Sequence, residues 1–191
     1  MSDIYLVRHG QTDANKNRIV QGRIDNPLNH KGIQQAMQTG KYFKQHNIRF
    51  DIFITSPLSR AFNTAEIISE AMMTKRPIVI DYGLIERNFG QIDNTKIDKN
   101  YQALISEGKV KNMEGNASLE KRVMEALKRI TQRYPEKTIL IITHSHVIKA
   151  LLVQIIDDFT YKKQLKNCSI THLIYSDNTF FAESYNIDPL K

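Results

Sequence analysis

Tryptophan is absent from the sequence and cysteine occurs once, at Cys168. A lone thiol excludes an internal disulfide framework and offers no cysteine-based metal spacing, which suits a reducing compartment. Its expected role is a packed small residue. No apolar run approaches the roughly 20 residues that a membrane helix needs, and the first residues, MSDIYLVRHG, lack the basic region and cleavage site of a signal peptide. The expectation is a cytoplasmic protein that does not engage a membrane. Glycine and proline are also sparse, at eight and five, which excludes collagen-like and low-complexity chains.

Acidic residues are the minority charge, 20 against 27 Lys and Arg, so the chain carries a formal +7. Such a field favours anionic partners. The lysines are scattered, apart from short clusters such as Lys162-Lys163, and form no basic stripe interleaved with aromatics. Nucleic acid is therefore not the expected partner, and a small phosphorylated metabolite is. At 191 residues, 41% of them hydrophobic, the chain can bury one ordinary core.

The apolar run Ile4–Val7 reads as a buried strand ending at Arg8-His9-Gly10, and residues 31 to 47 place Ile33, Ala36, Met37, Gly40 and Phe43 at helical spacing. Residues 51 to 55 form a second strand. Ser56-Pro57 then supplies an N-cap serine and a first-turn proline for a helix running to about Met73. Ile78-Val79-Ile80 is a third strand. Residues 90 to 115, with Gly90, Gly108 and Gly115 and a helical hint at 101 to 105, read as an excursion outside the sheet. A helix resumes from Ser118, with Leu119, Val123, Ala126, Leu127 and Ile130 in register and Ser118 opening a partial capping box.

Thr138–Thr143 is the strongest strand pattern, followed by His144-Ser145-His146 and a helix through Ile156. The last segments, 169 to 175 and 179 to 185, read as a hairpin around Asp177-Asn178. Strands alternating with helices predict an α/β fold of three αβα layers, with a mostly parallel central sheet and an antiparallel hairpin at one edge. Ligands bind at the carboxyl ends of strands in such sheets, where Arg8-His9, Ser56 to Arg60 and His144 all fall. Three separate segments therefore converge on one expected site.

These residue types suit phosphoester chemistry. A neutral histidine can attack phosphorus, arginines can hold the equatorial oxygens, and a carboxyl can protonate the leaving oxygen. His9 is the candidate nucleophile, flanked by Arg8, with Arg60 near the start of a helix as a phosphate ligand. His144 adds a donor, and Glu86 is the candidate acid and base. His144 and His146 could be read as a metal pair, but neighbouring arginines would repel a cation. His30, His46 and His172 carry no supporting pattern and are expected to be structural or exposed.

Several blocks, taken in order, resemble the histidine phosphatase superfamily, the phosphoglycerate mutase-like group. Leu6-Val7-Arg8-His9-Gly10-Gln11-Thr12 resembles its R-H-G signature, and residues 21 to 29, Gln21-Gly22-Arg23 onward, resemble its G-x-x-D-x-P-L-T stretch. Residues 55 to 65 resemble its S-P-L-x-R-A-x-x-T-A block, Leu84-Ile85-Glu86 with Gly90 the acidic segment, and Thr143-His144 the second histidine. The resemblance implies a phosphoglycerate mutase-like fold, one domain over 1–191 with a short insertion at about 90–115, and no metal or cofactor. It also implies phosphorylation of His9. Arg8, Asn15, Gln21, Gly22, Arg60 and His144 would bind the phosphoryl group or substrate, and Glu86 would protonate the leaving group and then activate water.

The chain departs from that pattern where Ser145 stands in place of the usual glycine, where Ile92-Asp93-Asn94 replaces a W-E-G, and where Gly115-Asn116-Ala117-Ser118 replaces a G-E-S. Mutases of the family are longer, with segments that keep water from the phosphohistidine, so hydrolysis of a small phosphomonoester is favoured over mutase chemistry. A pocket retained for recognition alone is a third reading. It would usually carry a replaced nucleophile or acid, and here all are present. Oligomeric state stays open.

Overall fold

The computed structural model describes residues 1–107 and 110–190, so Gly108 of the expected excursion lies outside the described residues. In chain order the elements are β1 (Ser2–Arg8), α1 (Asp13–Lys16), α2 (His30–Gln45), β2 (Ile52–Thr55), α3 (Ser59–Ala71) and β3 (Ile78–Ile80). They continue with α4 (Tyr101–Glu107), α5 (Asn116–Arg133), β4 (Thr138–Thr143), α6 (Ser145–Ile155), β5 (Ile170–Ser176) and β6 (Thr179–Ile187). The strands form one sheet in the order β3-β2-β4-β1-β5-β6. From β3 to β1 the neighbours are parallel, and β5 and β6 join antiparallel at the edge.

Alternation along the strands sends side chains to two helical layers. Ile139 and Ile141 of β4, with Ile4 and Leu6 of β1, pack among Leu119, Val123 and Leu127 of α5 and Ile148, Leu151 and Leu152 of α6. Leu140 and Ile142, with Val7 and Phe53, face Ala36 and Phe43 of α2 and Ala61, Ala65 and Ile68 of α3. Helices cover both faces, giving the expected three-layer α/β architecture. Cys168 is fully buried in the second cluster, and burial pushes its thiol up to about 12.

The hairpin turns where expected. Asp177 and Asn178 both take positive φ, 51° and 61°, the paired left-handed geometry that a two-residue turn between twisted strands requires. Two helix starts differ from the sequence reading. The third helix begins at Ser59, with Leu58 as N-cap and no side-chain cap, while the Ser56 hydroxyl meets His144 at 2.7 Å and accepts from the Leu58 amide at 3.3 Å ahead of the helix. The fifth begins at Asn116 with Gly115 as N-cap, two residues before Ser118, so no capping box forms there.

The described residues between 90 and 115 stay outside the sheet, with a 3-10 turn at Gly90–Ile92 and then α4. Ile105 of this stretch joins Val20 and Phe89 from outside it in a small apolar cluster, with Ile92, Ile97, Tyr101 and Met113 packed against it. This cluster stands over the carboxyl ends of β1 and β4. Among the described residues, no helix is long and apolar enough to cross a membrane.

Candidate active site

Arg8 pairs with Thr143 in the parallel register of β1 and β4, so the next residue of each segment is a histidine at the same level. The His9 amide donates to the Thr143 carbonyl at 2.9 Å, and the His9 and His144 rings stand 5.2 Å apart, inclined at 60°. Ser56 follows β2 on the far side of β4 and meets His144 Nε2 through its hydroxyl at 2.7 Å. Three adjacent parallel strands thus deliver His9, His144 and Ser56 to one place, at a reversal of strand order where open α/β sheets hold ligands.

The His9 Nδ1 faces the Gly10 carbonyl at 2.7 Å. A carbonyl only accepts, so Nδ1 carries the hydrogen and Nε2 keeps its lone pair. Burial, then the Arg60 and Arg8 charges, hold this imidazole well below the ordinary histidine range, against the pull of the Gly10 bond. The ring is therefore neutral and oriented. The loop behind it is tied down, because Gly10 N donates to the Thr64 hydroxyl at 3.0 Å and Asn167 Nδ2 donates to the His9 carbonyl at 3.0 Å.

Arg60, in the first turn of α3, is fully buried and gives Nη1 to the Ile24 carbonyl at 2.8 Å and Nη2 to the Gly22 carbonyl at 2.7 Å. Burial pushes it down to about 10, so it stays cationic at neutral pH. Arg8 gives Nη1 to the Leu165 carbonyl. Gln21 accepts from the Thr12 hydroxyl at 2.7 Å and the Asn26 amide at 3.2 Å through Oε1. Arg8 Nε, Arg60 Nε, His144 Nδ1 and Gln21 Nε2 are all buried without a protein partner. A buried unpaired donor costs about 1–3 kcal/mol, so this grouping beside one imidazole suits an anion with several oxygens.

Glu86 enters from the segment after β3. It is 4% exposed, with Oε1 accepting from the Arg87 amide at 2.8 Å and Oε2 from the His146 amide at 3.4 Å. Burial raises its pKa despite those bonds and the Arg60 and Arg8 charges, which favours a carboxyl able to donate a proton. A cavity of about 400 Å³ opens on these groups, bordered by Arg8, His9, Asn15, Gln21 and Glu86. Arg60 and His144 do not line it and are fully buried, the His144 ring 5.2 Å from that of His9. A second cavity of about 430 Å³, lined by Lys44, Phe50, Phe53 and Arg76 among others, sits towards the amino end of β2 and holds none of the expected site residues.

The remaining expected residues are placed as follows. Asn15 borders the cavity and accepts through Oδ1 from Asn167 at 3.0 Å. Gly22 uses its amide on Asp93 Oδ1 at 2.8 Å, and a Cβ there would lie 2.8 Å from the Arg87 carbonyl, so glycine lets this loop press against the Glu86 segment. Ser145 opens α6 in ordinary helical geometry after His144 at φ −127°, so the turn needs no glycine. His172 is structural, stacked on Tyr5 and bonded to Asp3, while His30 and His46 are exposed.

Several cavity residues escaped the sequence reading: His146, Lys149, Tyr101 and Asn167. For the first two a signal existed. His146 and Lys149 sit three apart in a helix whose other residues from Val147 to Leu152 are buried and apolar. A lysine among those residues has no obvious solvated face to occupy. Tyr101, at the start of α4, and Asn167, in the loop before β5, reach the cavity through tertiary folding, which a local pattern does not encode.

Among the described residues there is no group of three or more His, Cys, Asp or Glu side chains able to hold a metal ion. Residues 4–188 match the family described as the histidine phosphatase superfamily, branch 1. The chain belongs to this superfamily. An uncharacterized phosphatase, PhoE of Bacillus subtilis (strain 168), is 35% identical over 190 residues, covering 98% of this chain and 96% of its own length. A probable phosphoglycerate mutase, GpmB of Escherichia coli O1:K1 / APEC, is 30% identical over 201 residues, covering 98% and 92%.

Among solved structures, a phosphoserine phosphatase from Entamoeba histolytica in complex with 3-phosphoglyceric acid superposes with a TM-score of 0.83 at 28% identity, covering 97% of each chain. YhfR of Bacillus stearothermophilus gives 0.85 at 27% identity, covering 98% of each chain. The chain is thus a histidine phosphatase-type hydrolase of small phosphoesters, with the phosphoglycerate mutase-like architecture of that superfamily.

Proposed function

We propose that the protein hydrolyses a small phosphomonoester through a phosphohistidine on Nε2 of His9. The observation that carries this reading is the neutral, oriented His9 imidazole set between two guanidiniums and a buried carboxyl. In the first step the Nε2 lone pair bonds to phosphorus as the P–O bond to the leaving group breaks, and the Glu86 carboxyl gives that oxygen its proton. In the second, the Glu86 carboxylate takes a proton from water, whose oxygen bonds to phosphorus as the P–N bond breaks. Inorganic phosphate leaves, and His9 and Glu86 return to their starting states.

Arg8, Arg60, His144 and Gln21 hold the equatorial oxygens through the nitrogens that lack protein partners, and Asn15 borders the cavity beside them. Gly22 acts by close packing, since its amide is already bound. A cavity of about 400 Å³ suits a metabolite and not a folded phosphoprotein. The likeness to a phosphoserine phosphatase that binds 3-phosphoglyceric acid points towards short phosphorylated acids. We take the working compartment to be the cytoplasm, in keeping with one unpaired buried thiol.

The test is phosphate release from p-nitrophenyl phosphate with excess chelator present. Chelator-resistant release that vanishes in His9→Ala is the expected outcome. No release by the wild type, with vanadate still bound, would overturn hydrolysis and direct attention to mutase turnover.

A further inference from the structure

One wall of the cavity carries two side chains that the proposed phosphoryl transfer does not use. It is built by His146 and Lys149, three residues apart on α6 and so on the same helical face. Lys149 is 6% exposed. An ammonium has three hydrogens, yet the one hydrogen bond recorded for it runs to the Tyr161 carbonyl at 2.8 Å, and Glu86 is the carboxylate whose charge reaches it. The same helix offers a buried apolar residue at most other positions, so a buried cation here is costly unless something anionic meets it.

His146 is fixed from behind. Arg87 Nη1 faces its Nδ1 at 3.5 Å, the Tyr161 ring stacks on it at 5.6 Å and the Phe89 ring meets it edge-on at 4.9 Å. Arginine only donates, so Nδ1 accepts and the ring hydrogen sits on Nε2 as a donor. Arg87 is itself fully buried, held by the Glu114 carbonyl at 2.8 Å and lying over the Phe89 and Tyr161 rings. Burial and the Arg8 charge push the Lys149 ammonium down to about 8, which still leaves it mostly charged at neutral pH.

We infer that Lys149 and His146 form a subsite for a carboxylate on the same substrate whose phosphate meets His9. One ammonium and one neutral imidazole donor match a single negative charge with two oxygens. A second phosphate, carrying more charge, would call for a guanidinium fork such as Arg8 or Arg60 supplies at the other end. Arg8 and Lys149 border the same cavity of about 400 Å³, so one small ligand can meet both. The preferred substrates are accordingly small phosphomonoesters bearing a carboxylate. The inference rests on the hydrolase reading above and deepens it.

The experiment compares 3-phosphoglycerate with glycerol 3-phosphate, which differ by carboxylate against hydroxymethyl, and uses p-nitrophenyl phosphate to establish turnover. The wild type is expected to favour the acid by about 10- to 100-fold in kcat/KM, mainly through KM. Lys149→Met, matched in length, should bring the ratio near one, and Lys149→Arg should keep most of it. Equal kcat/KM values in the wild type, or a ratio untouched by Lys149→Met, would overturn the subsite while leaving hydrolysis standing. If no ester is turned over, the hydrolase reading fails, and calorimetric binding of the same two esters to His9→Ala decides the subsite. Tighter binding of the acid supports it, and equal affinities refute it.

Discussion

Arg122 grips the Glu114 carboxylate with two nitrogens, Nε to Oε1 at 2.8 Å and Nη2 to Oε2 at 2.9 Å. Its remaining nitrogen, Nη1, holds the carbonyls of Gly83 at 2.8 Å and Ile85 at 2.9 Å, the residues just ahead of Glu86. Glu114 in turn accepts from the Asn88 amide at 3.2 Å just after Glu86. The segment bearing the proposed acid is thus clamped on both sides from α5. Arg122→Ala should destabilise the fold by about 2–3 kcal/mol, because it strips the guanidinium fork from a largely buried carboxylate, which keeps only the Asn88 amide and the more distant Arg23, and takes a donor from two carbonyls. It should lower kcat with little change in KM, since the phosphate ligands are untouched. Urea unfolding and steady-state kinetics check both, and Arg122→Lys should recover only part, lacking the fork.

The role proposed for Glu86 has a distinct kinetic signature. The protonated carboxyl is the active form in the first step, so kcat/KM for an alkyl phosphate falls as pH rises through its pKa. Because burial raises that pKa, the fall begins above the ordinary carboxylate range. Glu86→Gln should remove this alkaline limb and lower alkyl ester turnover by about 10²–10⁴. Nitrophenolate leaves without a proton, so aryl phosphate should still phosphorylate His9 but release phosphate slowly. A burst of nitrophenol stoichiometric with enzyme, seen by stopped flow, is the expected result, and its absence would remove Glu86 from the second step.

Buried imidazoles also set the acid limit of stability. Burial holds His9, His144 and His146 well below the ordinary histidine value, while in the unfolded chain each takes a proton near 6.5. The unfolded state therefore binds more protons in this window, and stability present above pH 6.5 is lost as pH falls. Each group contributes a slope of about 1.4 kcal/mol per pH unit once its unfolded form is charged, so the three together approach about 4 kcal/mol per unit. Glu86 acts in the opposite direction, since its raised pKa lets the folded state take up a proton first. Urea midpoints at pH 7.5, 6 and 5 should show the fall, and His146→Asn should cut the slope by about a third.

How much of this was legible in the sequence depended on whether the signal was local. The strand Thr138–Thr143 was read with its observed bounds because an unbroken apolar run between polar flanks leaves no other reading. His9, Arg60, Glu86 and His144 were singled out less by local pattern, which alone reads Arg60 and Glu86 as ordinary surface residues, than by the order of the blocks that resemble the superfamily, and the fold gathers them around one cavity. The start of α3 was not: the Ser56 hydroxyl accepts from the Leu58 amide, yet the helix opens only at Ser59, and the same hydroxyl makes its short bond to His144, 88 residues away. The cavity wall of His146 and Lys149 was missed for a related reason. Their signal, a lysine among buried apolar residues of one helix, marks a buried cation but not its surroundings, which come from segments far along the chain such as the Tyr161 carbonyl.

The loop after His9 rests on the first turn of α2 with no space between them. A Cβ on Gly32 would lie 2.1 Å from the Gln11 carbonyl oxygen and 2.7 Å from its nitrogen, and one on Gly10 would lie 2.5 Å from the Gly32 carbonyl oxygen. These are backbone atoms, so the loop itself must move. Alanine favours a helix by about 1 kcal/mol over glycine, yet overpacking of this kind typically costs about 1–3 kcal/mol, so Gly32→Ala should be destabilising on balance. The shift passes directly to the Gly10 carbonyl, which fixes the tautomer and tilt of His9. Displacement of a nucleophile by about 1 Å can cost about 10²-fold, so kcat should fall far more than stability alone explains. Gly115→Ala is the control, because nothing lies within 4 Å of a Cβ there. If both variants keep wild-type kcat on p-nitrophenyl phosphate, contact between this loop and α2 does not orient the nucleophile; if only Gly32→Ala loses it while remaining folded by circular dichroism, it does.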